Sequence, residues 1–251
     1  MGHEFTHSSN IHPSAESIVS QQPNRHRPLA FSDQFINAQL VEDAQEFAVA
    51  GGVVINLSNE PLVVADSVPT VVPAWKSTIL RQGVIARARR AAVIDVRDKM
   101  NLGGLVFGDW DWFGNRFAKF PRTTPLYISK YDVVGEITAD PYVFSNNPSE
   151  VGQVDRYSVR LNLWWAPAET DCYIHNEHPF LEIHTQIYGT GRIEMFHERN
   201  PATVFRQISL APGYTHDPFC LVTAQRKWVY PWHRYYSESD ALWLAIELHP
   251  E

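Results

Sequence analysis

The chain has 251 residues, 44% of them apolar and 20% charged, the balance of a globular protein with enough material for one large domain or two small ones. A formal net charge of -7 argues against nucleic acid as a partner, because neutralising phosphates takes a clustered basic surface. No run approaches the roughly 18 consecutive apolar residues of a membrane helix, so no membrane partner is expected either.

The two cysteines, Cys172 and Cys220, exclude a disulfide framework while allowing a single bridge. With no apolar leader, the plain expectation is a cytoplasmic protein with two free thiols. The one basic stretch runs from Arg81 to Lys99 and is diluted by Asp95 and Asp98, which fits a solvated face better than a phosphate site.

Residues 1–30 are polar and interrupted by Pro13, Pro23 and Pro28, which predicts an arm that is disordered or draped over a partner surface. Its histidines (His3, His7, His12, His26) lack a compact ligand spacing. Residues 31–49 predict a helix: Ser32 or Asp33 is a cap, Phe35, Leu40, Val41, Ala44 and Phe47 lie near one face, and Gly51 and Gly52 end it.

Beyond Gly52 the pattern becomes short apolar runs broken by turn residues, and VVINL, PLVVA, PTVVPAW, AAVIDV, LGGLVF and LYISKYDVVGEI all predict strands. The segment GDWDWFGNRFAKF, dense in rings and glycine, reads as a loop plugging a core or as one wall of a pocket. A linker is predicted over residues 140–152, from its two prolines, paired asparagines and glycine. Thus residues 31–140 form a strand-rich N-terminal part and residues 151–251 a second unit. In that unit eight strand-like runs, from DRYSVRLNLWWA to DALWLAIELHP, fit an antiparallel barrel or jelly roll.

Histidine is unevenly spread: none lies between His26 and His175, and then His175, His178, His184, His197, His216, His233 and His249 follow. Imidazole is costly to bury alone, so the cluster needs a physical account. In H175-N-E-H178-P-F-L-E182-I-H184-T-Q186 the polar Asn176, His178, Glu182, His184 and Gln186 share one parity, and Leu181, Ile183 and Ile187 the other. Strand side chains alternate, so coordinating groups line one face and hydrophobes the opposite one. A polar row inside a barrel is tolerable when it holds a cation. By the same parity His175 points away from that face unless a bulge intervenes. Downstream, Pro212 and Gly213 make a turn that leads His216 towards the same interior.

These segments resemble the cupin superfamily. Its first motif sets two histidines two apart, then a glutamate and a glycine, and here His178, Glu182 and Gly189 keep those spacings. Its second motif, P-x-G-x-x-H, matches Ala211, Gly213 and His216, with Ala for the first Pro. The first motif histidine falls on Asn176. The resemblance covers about 60 residues, to the whole C-terminal barrel at most. It implies a jelly roll, the N-terminal part being an elaboration or a degenerate second half, and a homodimer. It also implies a divalent metal on His178, Glu182 and His216, completed by His184 or Asn176.

Such a site suits Fe(II), with Mn, Ni, Zn or Cu as alternatives. The leading expectation is an Fe(II) oxygenase acting on a small-molecule substrate, with Gln186, His233 and Tyr235 orienting it. The alternatives are a lyase, isomerase or hydrolase using the ion as a Lewis acid, and a non-catalytic binding cupin whose aromatic walls (Trp110, Trp112, Trp164, Trp165) hold a ligand by stacking.

Overall fold

A computed structural model of the protein describes residues 22–145 and 154–251. Residues 1–21 of the expected arm, with His3, His7 and His12, and residues 146–152 of the expected linker lie outside the described residues. The fold is mainly β, and every strand pairing is antiparallel.

The N-terminal sheet holds β1 (Arg25–Pro28), β2 (Ile36–Val49), β3 (Gly52–Asn56), β4 (Leu62–Ala65), β5 (Thr70–Val72), β6 (Ser77–Leu80) and β7 (Gly83–Val96). Its order is β1-β2-β7-β3-β6, with β4 against β5 and β7. The next strands are β8 (Asp111–Trp112), β9 (Tyr127–Ile128), β10 (Asp132–Ala139), β11 (Asp155–Ala166), β12 (Thr170–Asp171), β13 (Leu181–Tyr188) and β14 (Gly191–Phe196). The last are β15 (Val204–Leu210), β16 (Leu221–Val222), β17 (Trp228–Val229), β18 (Trp232–Ser237) and β19 (Ala241–Pro250). A six-stranded sheet runs β13-β19-β11-β9-β8 with β10 beside β11, and a four-stranded sheet runs β12-β18-β14-β15. Sheet membership thus changes between Val96 and Asp111, since β8, β9 and β10 join the later sheet.

Three local expectations give way. The segment predicted as a helix at 31–49 is largely strand β2, because it pairs along its length with β7. Asp43 and Glu46 take left-handed backbone, φ 52° and 49°, and leave the pairing, while the register on either side of them is unchanged. At each the side-chain alternation breaks, so Val41, Ala44 and Phe47 recur every third residue against one cluster and imitate helical spacing. LGGLVF forms a 3-10 helix, Leu102–Phe107, that buries Leu102 and Leu105 three apart. The run 171–178, expected as a strand, is irregular past β12 because Tyr173 sits at φ 82°.

One buried cluster runs continuously from Ile36, Ile55 and Ile94 of the N-terminal sheet to Leu161, Ile183 and Ile246 of the six-stranded sheet. A smaller one, around Val41, Leu62 and Ile85, lies within the N-terminal sheet. The two regions are also tied by Asp132, a buried carboxylate on β10. It accepts both terminal nitrogens of Arg27 at 2.7 Å and the Ala30 amide at 2.8 Å. On the other side Ser77 of β6 donates to the Gly213 carbonyl at 2.8 Å, and its hydroxyl meets Thr215, which in turn meets Thr185 of β13.

Removing Asp132 strands the Ala30 amide as well as the guanidinium. Asp132→Ala should therefore cost about 2 kcal/mol. With one shared core, urea denaturation should still show a single transition by both fluorescence and circular dichroism. Two separated transitions in the parent protein would refute the shared core.

Candidate metal centre and ligand cavity

A cavity of about 340 Å³ lies between the six-stranded and four-stranded sheets. The six-stranded sheet sets its floor as a grid of cross-strand neighbours. Glu247 lies opposite both Glu182 and Arg160, Ala245 opposite His184 and Asn162, and Trp243 opposite Gln186 and Trp164. The parity reading holds here: Glu182 and His184 face the cavity, while Leu181 and Ile183 are packed in the core. His233, Tyr235 and Ile193 reach it from the facing sheet.

Among the described residues, one group of three potential ligands converges: His175, His178 and His233, with ligand atoms within 4.8 Å of one another. His175 and His233 form an isolated antiparallel bridge, with N–H···O distances of 2.9 and 2.8 Å, and their rings lie 4.5 Å apart. The left-handed Tyr173 supplies the irregularity that brings His175 inward, against its sequence parity.

In each ring Nδ1 is turned to an acceptor. His175 Nδ1 lies 3.1 Å from the Tyr173 carbonyl, His233 Nδ1 lies 2.8 Å from the Pro231 carbonyl, and His178 Nδ1 lies 3.6 Å from a Glu182 oxygen. In His175 and His233 the carbonyl partner assigns the proton to Nδ1 and leaves Nε2 as a lone pair, the usual preparation of a metal-ligating imidazole; His178 Nδ1 is beyond hydrogen-bond reach of Glu182. The Nε2 atoms of His178 and His233 are 3.1 Å apart. Two nitrogens each about 2.1 Å from one ion, in neighbouring coordination positions, lie about 3 Å apart, so the pair fits a shared cation.

Electrostatics agree with the donor set. Burial lowers the pKa of His175 to about 4, helped by the neighbouring His178, and burial also lowers His178 and His233. All three are neutral at physiological pH, the form that binds metal. Burial works against charge on Glu182, but the imidazoles of His184 and His178 outweigh it and hold the carboxyl below its usual range. Its only ion-pair neighbours among the described residues are those two histidines, at 3.4 and 3.6 Å. An enclosed carboxylate whose ion-pair neighbours are imidazoles has no Lys or Arg beside it, and a bound cation would supply the fixed positive charge.

The other residues singled out by sequence fall in different places. His216, which the motif resemblance makes a ligand, is buried with both nitrogens in use: Nε2 accepts the His184 amide at 2.7 Å and Nδ1 donates to the Asp217 carbonyl at 2.8 Å. It braces β13 behind His184 and does not line the cavity. His184 borders Glu182, and its Nδ1 is buried without a partner. Asn176 does not line the main cavity.

Gln186 is buried; it accepts the Tyr235 hydroxyl at 2.8 Å and donates to the Tyr188 carbonyl at 2.7 Å. The pair is structural: Tyr235 offers the cavity only its ring, stacked 3.9 Å from Trp243, and a side chain at Gly191 would collide with its hydroxyl. Of the four tryptophans named as walls, Trp164 lines the cavity and Trp110, Trp112 and Trp165 do not. The GDWDWFGNRFAKF segment is pocket wall, through Phe113, Phe117 and Phe120. Sequence reasoning turned His175 away from the cavity unless a bulge intervened, left open whether it or Asn176 takes the place of the missing motif histidine, and passed over Glu247. The crowding of histidines after residue 174 was the available signal for His175, and nothing marked Glu247.

No family model and no curated protein matches the chain. Several solved structures are similar in part. A structure of DMSP lyases aligns at 17% identity over 52% of this chain and 52% of that one, with a TM-score of 0.27. A recombinant oxalate oxidase in complex with glycolate aligns at 11% identity over 46% and 50%, also at 0.27. Bacillus subtilis oxalate decarboxylase, in a study of its Mn(II) centres, aligns at 10% identity over 86% and 70%, at 0.30. The chain thus spans about half the length of the first two. Likeness this faint says nothing about activity. Among the described residues, no helix is long and apolar enough to cross a membrane.

Two stability predictions follow from the burial. The pKa of His216 is lowered to about 3 by burial, and that of His175 to about 4. Below pH 6.5 the unfolded chain takes up these protons while the folded chain refuses them. Stability is therefore full above pH 6.5 and falls as pH drops towards 3, by about 1.4 kcal/mol per pH unit per group. The urea midpoint of chelator-treated protein should drop clearly from pH 7 to pH 5; an unchanged midpoint would contradict the burial. His216→Ala leaves the His184 amide and the Asp217 carbonyl unpaired beside a hole, and should cost about 2–4 kcal/mol in the same assay at pH 7.

Proposed function

We propose that this chain is a metal-dependent, cupin-type enzyme acting on a small organic molecule, with the ion held by His175, His178 and His233 and backed by Glu182. The carrying observation is the convergence of three imidazoles, one buried and two half-buried, of which His175 and His233 hold Nδ1 against a carbonyl and His178 lies beside Glu182. A divalent transition metal there would supply Lewis acidity towards a substrate oxygen or, as Fe(II), reaction with dioxygen. The chain's own residues do the rest. Glu182 orients His178, the Tyr173 and Pro231 carbonyls fix the other two rings, and the ring-lined wall keeps water from the reacting end.

Fe(II) and an oxygenase reaction are the finer reading. Three neutral imidazoles are suitable ligands for Fe(II), and an apolar cavity admits dioxygen while excluding water; Mn, Ni, Zn and Cu fit the same donors. One observation favours the Lewis-acid alternative, a lyase or isomerase: Glu182 and Glu247 both border the cavity on neighbouring strands, where either could take a proton from a substrate.

Elemental analysis tests the ligand set. The purified protein should carry about one transition ion per chain, and His175→Ala and His233→Ala should each weaken binding at least tenfold. His216→Ala should keep its metal despite its lower stability. Loss of metal from His216→Ala alone would restore the motif-implied site, and absence of metal from every form would end the enzyme reading. Fe(II)-dependent oxygen uptake during a substrate screen supports the oxygenase; turnover with Mn(II) or Zn(II) and no oxygen uptake supports the alternative.

A further inference from the structure

The cavity's second feature is its wall. Phe113 stands nearly perpendicular to Phe120, with centroids 5.0 Å apart, and meets Trp164 at 4.7 Å. Tyr173 closes the corner against Phe120 at 5.8 Å and Phe117 at 6.1 Å. These rings all line the cavity, and Phe113, Phe117, Trp164 and Tyr173 are only partly buried, so they retain surface for a further ring. Mutually perpendicular rings offer both a face and an edge, the two contacts an aromatic guest makes best.

The charges around the cavity narrow the class. Arg234 pairs with Glu194 at 2.7 Å and with Asp171, and Arg116 pairs with Asp111 at 2.8 Å, so neither guanidinium is left over for an anion. Glu182 and Glu247 have no Lys or Arg within ion-pair distance among the described residues. Glu247 is held instead by Asn162 at 2.7 Å and His249 at 2.6 Å. The third lining carboxylate, Glu177, is exposed to solvent, so within the enclosed part Glu182 and Glu247 balance one divalent ion, which suits a neutral guest. The volume, about 340 Å³, is at the lower end of the roughly 300–1,000 Å³ of small-ligand sites, which favours one ring over a polycycle.

We propose that the cavity takes an uncharged single-ring aromatic compound bearing an oxygen substituent, its ring in the Phe113–Phe120–Trp164 corner and its oxygen towards the three histidines. This rests on the metal reading for the oxygen's direction, and on the wall alone for the ring.

Calorimetric titrations of the full chain with phenol, cyclohexanol, toluene and benzyltrimethylammonium, before and after chelation, separate the two parts. Phenol should bind at least tenfold more tightly than cyclohexanol in both states, because only the ring differs in kind. Phe113→Leu, which keeps bulk but loses the ring, should cut that preference to about threefold or less in protein whose circular dichroism is unchanged. Equal binding of cyclohexanol and phenol, tighter binding of the ammonium probe, or a preference untouched in folded Phe113→Leu would each overturn the proposal. In metal-loaded protein phenol should also exceed toluene, and chelation should shrink that gap. If the ring preference survives while the gap is indifferent to metal, the metal reading has failed and the aromatic wall stands.

Discussion

The site depends on a constraint applied to the back of three imidazoles. A buried histidine must satisfy one nitrogen as donor, and wherever that donor points, the other nitrogen is aimed the opposite way. In His175 and His233 the donor is taken by carbonyls two residues upstream, Tyr173 and Pro231, and in His178 it faces Glu182. The local backbone therefore decides where the lone pairs meet. Burial then removes the competing proton, so the cluster is neutral, the form in which imidazole binds a cation.

The sheets supply the positions for these groups. The cross-strand pairing of His175 with His233 makes two residues 58 apart in sequence into direct neighbours. The register of β13, β19 and β11 sets Glu182 beside Glu247 and His184 beside Ala245, so polar groups sit on the floor next to a residue too small to fill the space above it. On the far side of β13 the segment 213–216 is locked by hydroxyl contacts running to Ser77 of the N-terminal sheet. The N-terminal sheet thus buttresses the strand that carries Glu182 and His184, which gives it a physical part in the site although none of its strands contributes a side chain to the cavity lining.

His216 shows how a motif position and a chemical role can separate. The residue stands where the cupin resemblance asks for a ligand, beside the right strand and buried. Yet a main-chain amide and a main-chain carbonyl occupy both of its nitrogens. His175 has no standing in the motif, and it faces the cavity because one residue, Tyr173, adopts a left-handed backbone. Spacing in sequence conveys parity only where the strand is regular, and next to this site the chain is not.

What the sequence determined by itself was periodic and compositional. The strand-rich class, the alternation that turns Glu182 and His184 inward and Leu181 and Ile183 outward, and the crowding of histidine after residue 174 were all legible, because they follow from a two-residue repeat and from the cost of burying imidazole. Only the tertiary structure decided the rest. Strand β2 imitated a helix because left-handed backbone at Asp43 and Glu46 broke its alternation. The partners of His175 and His216 were fixed by hydrogen bonds to backbone groups, which have no side-chain signature. Glu247 entered the cavity through its register with Glu182, a relation between strands more than 60 residues apart. Local pattern fixes which way a side chain turns; which groups then meet depends on register and on irregular backbone, and those are settled by packing over the whole molecule.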